Sequence, residues 1–403
     1  MQPLGGVFVV DLSQNLAGPF CTQILGDLGA EVVKVERPGT GDAARQWGPP
    51  FWGDDGALFL SSNRNKRSVA VDLKTTEGRE VVERLASRAD IFVESFRAGG
   101  AERLGLDYRR LSTSNPRLIY CSITAFGVRG PSSHLPGYDP LLQAYGGLMS
   151  VTGHADQPPV RVGTSIIDMA TGMWAAIGII AALREREATG RGTHIVASLF
   201  DTALMWCAYH AIGYLATGQV PRPHGTGLGM IAPYEAFPTA DGRVMIAAGN
   251  DELFRRTCHA LALPGLARDP RFADNASRVR HRTVLFDLIA EATGRLTTEE
   301  VTRRLQGAGV PCAPIRSIDQ VLADPQVEAN EMLIGAAHPS IPDFRTIALP
   351  IQWDGARAPV RRAPPVLGQH TAEVLEAIGY GHDEIAELER IGAIQCTCPV
   401  GSW

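Results

Sequence analysis

The chain reads as an α/β protein, with a doubly wound, Rossmann-like large domain and a smaller α+β domain. Three observations predict it. Apolar strand-like runs alternate with helical stretches through the first third of the sequence. A Gly/Pro/His-rich break spans 217–229. Beyond that break, Asp241-Gly242 lies between two strand patterns, a hairpin signature.

In order, Val7–Asp11 reads as a buried strand and Ala17–Leu28 as a helix with Gly18-Pro19 in its first turn. Gly29 ends that helix, and Glu31–Glu36 is the second strand. Strand Ser68–Leu73, helix Glu77–Arg88 behind a Thr75/Thr76 cap, and strand Ile91–Glu94 repeat the pattern. Leu118–Ile123 is a further strand. Gly137-Tyr138-Asp139-Pro140 precedes an amphipathic stretch, Leu141–Thr152, broken by Gly146-Gly147. Helix Met169–Glu187 stops at Thr189-Gly190-Arg191-Gly192, before strand Thr193–Ser198 and helix Leu199–Ala216. Strands Tyr234–Pro238 and Arg243–Ala248 and three helical patterns, from Glu252, Arg282 and Thr298, make the smaller domain. The expected division is 1–216 for the large domain, 217–229 for a linker and 230–325 for the small domain. Residues 326–394 have too little core of their own and are expected to return to the large domain, leaving 395–403 as a tail.

Composition narrows the function classes. A net charge of −5 gives no general attraction to nucleic acid or anionic lipid. The N-terminus shows no basic segment followed by an apolar core, and the apolar run Met173–Leu183 is short for a bilayer. A cytoplasmic protein is expected. Seven cysteines, mostly scattered, suit reduced thiols, and Cys396 and Cys398 have no partners at ligand spacing, so no metal is expected. The turn after the first strand is not G-x-G-x-x-G, which disfavours a nicotinamide or flavin dinucleotide.

Asp168 is a lone acid between two apolar stretches. It reads either as the N-cap of the following helix or as a carboxylate nucleophile at the mouth of an apolar channel. Asn63-Arg64-Asn65-Lys66-Arg67 precedes a strand, Lys74 and Arg37 end strands, and Arg103 opens the turn before Leu104-Gly105. Each suits a solvated face; together they favour a phosphorylated ligand at strand ends. The loop His224–Gly229 suits either a cover over a ligand or a domain connection.

The chain resembles family III CoA-transferases, the CaiB/BaiF type. The resemblance rests on Leu16-Ala-Gly-Pro-Phe20, Asp27–Glu36, Asn65-Lys-Arg-Ser68 with Asp72-Leu-Lys74, and Gly137-Tyr-Asp139. It continues in Asp168-Met-Ala-Thr-Gly172, Thr189–Gly192, Pro233-Tyr234, Gly309–Cys312, Ala323–Val327 and Leu367–Thr371. It implies that Asp168 is the catalytic aspartate and that Arg37, Leu73, Lys74, Phe96, Arg103 and Tyr138 line CoA. It also places Leu16, Gly225, Gly227 and Gly229 near the substrate acid. The implied ligands are coenzyme A or acyl-CoA and a carboxylic acid, and the implied assembly is an interlocked homodimer. Leu16 stands where the formyl/oxalyl branch carries glutamine, so a larger, more carbon-rich acid is expected. Two other readings stay open. The racemases of this fold resemble Gly-His-Asp where this chain has Gly137-Tyr138-Asp139, and phenol is a poor base near neutrality. A non-catalytic CoA-binding protein would have no need of Asp168.

Overall fold

The computed structural model describes residues 1–397. The chain forms two compact units. The first comprises Met1–Gly146, Gly163–Ala208 and the segment from Pro325 onward; the second comprises Gly147–Val162 and Tyr209–Asp324. These units differ from the expected division, and the stretch 217–229 lies within the second. Residues 147–162 lie in the second unit, and so do residues 209–216, because the helix expected over Leu199–Ala216 breaks at Cys207 into Leu199–Trp206 and Ala208–Thr217.

In the first unit, β1 (Phe8–Leu12) leads through α1 (Ala17–Asp27) to β2 (Glu31–Glu36) and β3 (Lys66–Val71). α2 (Thr76–Arg88) and β4 (Ile91–Glu94) follow, then the short α3 (Gly100–Leu104) and α4 (Tyr108–Ser114). β5 (Ile119–Thr124), α5 (Asp139–Tyr145), the long α6 (Ile166–Thr189), β6 (His194–Ser198) and α7 (Leu199–Trp206) complete it. The sheet order is β3-β2-β1-β4-β5-β6, all parallel, with the strand Ile394–Gln395 antiparallel on the outer edge of β3. Gln395, expected in a free tail, is therefore paired with Ala70. Cys398 and the rest of the tail lie outside the described residues.

Both faces of the sheet are covered, so the central strands are near-continuous apolar runs. One face holds Val10, Val33, Val69, Phe92 and Tyr120 against Val81, Val82 and Leu85 of α2 and Leu375 of the C-terminal segment. Thr75 caps α2, its hydroxyl accepting the Gly78 N–H at 3.0 Å. α1 also packs against α6. Their approach is so close that a Cβ on Gly172 would stand 2.5 Å from the Ala17 carbonyl oxygen. Among the described residues α6 is the one helix long and apolar enough to cross a bilayer, although it exceeds the short run read from the sequence. Its contacts with α1 and β5 are those of a core helix in an α/β unit.

The second unit carries an antiparallel sheet of β7 (Tyr234–Pro238), β8 (Arg243–Ala247) and β9 (Cys312–Pro314). Helices Asp251–Ala260, Arg282–Thr293 and Thr298–Gly307 supply Phe254, Leu285 and Val301 to its core beside Phe237 and Val244. Arg278 is fully buried there, donating to the carbonyls of Ala232 and Phe272 and to Asp251. Every branch of the guanidinium is satisfied, which is the condition for burying it.

Candidate active site at the switch point of the sheet

β1 lies between β2 and β4, so the chain runs outward in both directions from it. In an open parallel sheet, such a reversal leaves a crevice beyond the carboxyl ends of the two strands. A cavity of about 530 Å³ occupies that place. The turn after β1 (Gln14–Gly18) and the turn after β4 (Ser95–Gly99) both line it. Leu16, Phe96, Tyr138 and Asp168 line it as well, so four of the residues singled out from the sequence meet at one cleft.

Asp168 is not the N-cap. α6 starts at Ile166, with Ser165 at the cap position, which places Asp168 in the first turn. The capping is done from α5: Asp139 Oδ2 accepts the Ile167 N–H at 2.8 Å and the Asp168 N–H at 3.3 Å. Asp139 itself is buried, and its Oδ1 accepts the Gln143 amide at 2.6 Å. The Asp168 carboxylate takes no hydrogen bond among the described residues. Burial, with the Asp139 charge adding to it, pushes its pKa up to about 7. The helix N-terminus opposes that shift by favouring a negative charge in the first turn.

The turn after β1 is fixed from below by buried charge. Asp11 takes both the amide and the hydroxyl of Ser13 and pairs with Lys66 at 3.1 Å. Lys34 donates to the Ser13 carbonyl at 2.9 Å and pairs with Asp42 at 2.8 Å. Asp42 in turn accepts the Asn15 N–H at 3.0 Å, and Asn15 adopts φ +66. Burial drives Asp11 up, but the two ammonium groups and its hydroxyl partners outweigh it and hold the acid at about 2. Burial takes the Lys66 ammonium down to about 8 against the pull of Asp11. Gly18 allows the turn to close, since a Cβ there would fall 2.1 Å from the Ser13 Cβ.

This network corrects one expectation. Arg64 and Lys66, read as cations for a phosphate, are buried and face inward together with Asn65. Arg64 and Asn65 both bind Asp27, and Lys66 binds Asp11. Arg67 pairs with Glu31 and Glu373. Arg37, Lys74 and Arg103 behave differently. They are exposed beyond β2, β3 and β4, and none forms a salt bridge among the described residues. Leu73 sits beside Lys74 at the end of β3, partly buried against the core. None of Arg37, Leu73, Lys74 and Arg103 lines the cavity. Gly225, Gly227 and Gly229 belong to the second unit, where a Cβ on Gly225 would meet the His154 ring at 2.6 Å.

Sequence reasoning missed a polar row inside the cleft. Glu94 and Ser122 are cross-strand neighbours, and the Ser122 hydroxyl lies 2.9 Å from His194 Nε2. Burial raises Glu94, although its bonds to Ser122 and the Phe96 amide act the other way. Burial also lowers His194, which stacks on Tyr108. Only strand register brings these three together. Among the described residues, no group of His, Cys, Asp or Glu is arranged to hold a metal ion.

Fold and cleft together define an α/β protein with Asp168 on the wall of a cleft at the switch point of a parallel sheet. The chain belongs to CoA-transferase family III, whose sequence pattern matches residues 4–371, and it is a CoA-transferase. It is 38% identical to the human succinyl-CoA:glutarate CoA-transferase (Homo sapiens), over 98% of this chain and 90% of that one. It is 40% identical to the succinate–glutarate CoA-transferase of Agrobacterium fabrum, over 96% of each. Among solved structures, a CAIB/BAIF family protein from Brucella suis superposes with a TM-score of 0.85 at 40% identity, covering 93% of this chain and 99% of that one.

Proposed function

We propose that the protein moves CoA from an acyl-CoA donor to a free carboxylic acid through covalent intermediates on Asp168. The observation that carries this reading is a carboxylate on the wall of the switch-point cleft without a hydrogen-bond partner among the described residues. A structural acid of that burial is normally paired. Attack of its oxygen on the thioester carbonyl gives a mixed anhydride and releases CoA thiolate. The thiolate then attacks the aspartyl carbonyl, expelling the donor's acid and leaving an aspartyl-CoA thioester. The acceptor acid attacks that thioester, and the returning thiolate completes the exchange. The thioester's energy is kept as long as water stays out.

Arg37 and Lys74, exposed beyond strand ends, and Arg103, exposed on the last turn of α3, are proposed to meet the phosphates of CoA. Leu73, Phe96 and Tyr138 are proposed to flank the rest of the cofactor. The two glutarate-using relatives and the apolar Leu16 beside the cleft favour a dicarboxylic acid with several carbons between its carboxyl groups. A homodimer is proposed because α6 exposes Met173, Trp174, Ile177 and Ile180 as one apolar stripe, continued by Leu204, Met205 and Trp206 of α7. A cytoplasmic location suits the scattered free thiols Cys21, Cys121, Cys207, Cys258 and Cys312.

The test is a panel of acyl-CoA donors against free acids, read by the mass of the new thioester, with Asp168→Ala alongside. Succinyl-CoA with glutarate is expected to turn over well and oxalate with formyl-CoA poorly. Asp168→Ala is expected to lose transfer while still binding CoA. Unchanged turnover in that variant would remove the mechanism, and a preference for oxalate would remove the substrate assignment.

A further inference from the structure

Asp139 lies in the first turn of α5 and spends no atom on solvent: it is 1% exposed. One carboxylate oxygen takes the two leading amides of α6, and the other takes Gln143, itself fully buried. A second carboxylate, Asp168, stands in the turn that Asp139 caps. The charged and titratable groups that share the cleft with Asp168 are Glu94, Arg97, Glu102, Asp107 and His194. α1 presents Leu16, Ala17 and Gly18; α7 presents Thr202, bonded to Thr171; and Tyr138 lines the same cleft as a phenol. The charge of Asp139 is the one that acts on Asp168.

We propose that Asp139 is a positioning residue for CoA transfer, which holds the first turn of α6 at the cleft and, by its charge, drives Asp168 from carboxylate to thioester. This rests on the reading of Asp168 as the nucleophile. In the second step the thiolate sulfur bonds to the Asp168 carbonyl carbon. The bond from that carbon to the bridging oxygen breaks, and its electron pair leaves on the donor's carboxylate. No proton moves. Over the two steps the negative charge that Asp168 holds beside Asp139 as a free carboxylate leaves on the donor's acid, which water can solvate, whereas return of the thiolate to the donor would restore it. Like charges held together in a poorly solvated place repel. The covalent thioester relieves that repulsion, and so the enzyme is loaded with CoA rather than returning the thiolate to the donor.

The test compares wild type, Asp139→Asn and Asp139→Ala, each mixed with acyl-CoA and its free acid at fixed ratios. The fraction of intact chain carrying CoA is read by mass, and kcat/KM is followed against pH. Asn keeps an oxygen for the α6 amides but removes the charge. It is expected to lower the loading constant about tenfold and to move the acid limb of the pH profile down by about one unit, the equivalent of one pKa unit. Ala removes both and is expected to show the same loading loss with a further fall in kcat. Wild-type loading and an unmoved limb in Asp139→Asn would overturn the electrostatic role, and an unaltered kcat in Asp139→Ala would overturn the positioning role. A wild-type adduct on a residue other than Asp168 would sink the covalent reading itself, and this proposal with it.

Discussion

Gly172 of α6 and Ala17 of α1 are in direct backbone contact. A Cβ on Gly172 would sit 2.5 Å from the Ala17 carbonyl oxygen and 3.1 Å from the Cys21 nitrogen. The contact joins the turn that follows β1 to the helix that carries Asp168, so both walls of the cleft depend on it. Replacing Gly172 with Val is expected to force the helices apart and cost about 2–3 kcal/mol, the usual scale for overpacking. Denaturant unfolding checks the loss. A Gly172→Val enzyme with wild-type midpoint would show that the helices have room to spare.

The raised Asp168 acid has a consequence for the rate. The nucleophile is the ionised form, so kcat/KM is expected to fall below pH 7 and to level off above it, with a midpoint near the raised value of about 7. A profile flat from pH 5 to 8 would mean that this carboxylate is fully ionised throughout.

The same group affects stability, in a direction opposite to that of a salt-bridged acid. Between its ordinary value of 3.8 and about 7, the folded protein holds a proton that the unfolded chain has lost. Stability therefore falls as pH rises through that window, and the penalty is complete above it. Asp168→Asn is expected to stabilise the protein by about 2 kcal/mol at pH 8 and by nothing measurable at pH 4. The figure is below the full shift because the side chain is partly open to the cleft. Thermal or urea unfolding at the two pH values separates these outcomes.

Arg37 and Lys74 are expected to hold CoA phosphates and to take no part in the chemistry. Arg37→Ala and Lys74→Ala should each raise KM for acyl-CoA about tenfold, with kcat within a factor of two, as the loss of one charge-assisted contact predicts. Dephosphorylated CoA analogues should narrow the difference from wild type. An unchanged KM in both variants would remove these residues from the CoA site.

Lys34 gives a sharper test of the buried network. Lys34→Met leaves Asp42 without its cation in a place closed to water. Breaking one side of a buried pair costs about 3–5 kcal/mol. The turn from Ser13 to Leu16 should also loosen, because it loses the Lys34 bond to the Ser13 carbonyl. Faster amide exchange at Asn15 than at β4 would report it. Wild-type exchange would assign the turn's shape to Asp11 alone.

Strand and helix order were legible in the sequence because each element is dictated locally. β-branched apolar residues, Val32, Val33 and Val35 in one segment and Ile91 and Val93 in the other, mark Glu31–Glu36 and Ile91–Glu94 as strands, whose limits in the structure match the reading from sequence. The cap at Thr75 was legible for the same reason. So was Asp168 as an isolated acid in apolar surroundings. That it is not the N-cap was decided elsewhere in the chain, by Asp139, twenty-nine residues earlier, which takes the leading amides of α6. The basic cluster at 63–67 shows the opposite failure. Its charges looked outward by composition, yet the fold turns Arg64 and Lys66 onto Asp27 and Asp11, partners that no local pattern links to them. Glu94, Ser122 and His194 likewise become neighbours only through the register of three strands. Local sequence determined what each segment is, because propensity and periodicity act over a few residues. Only the tertiary structure decided which charges are buried, paired or left free, because that depends on segments distant in sequence meeting at one sheet edge.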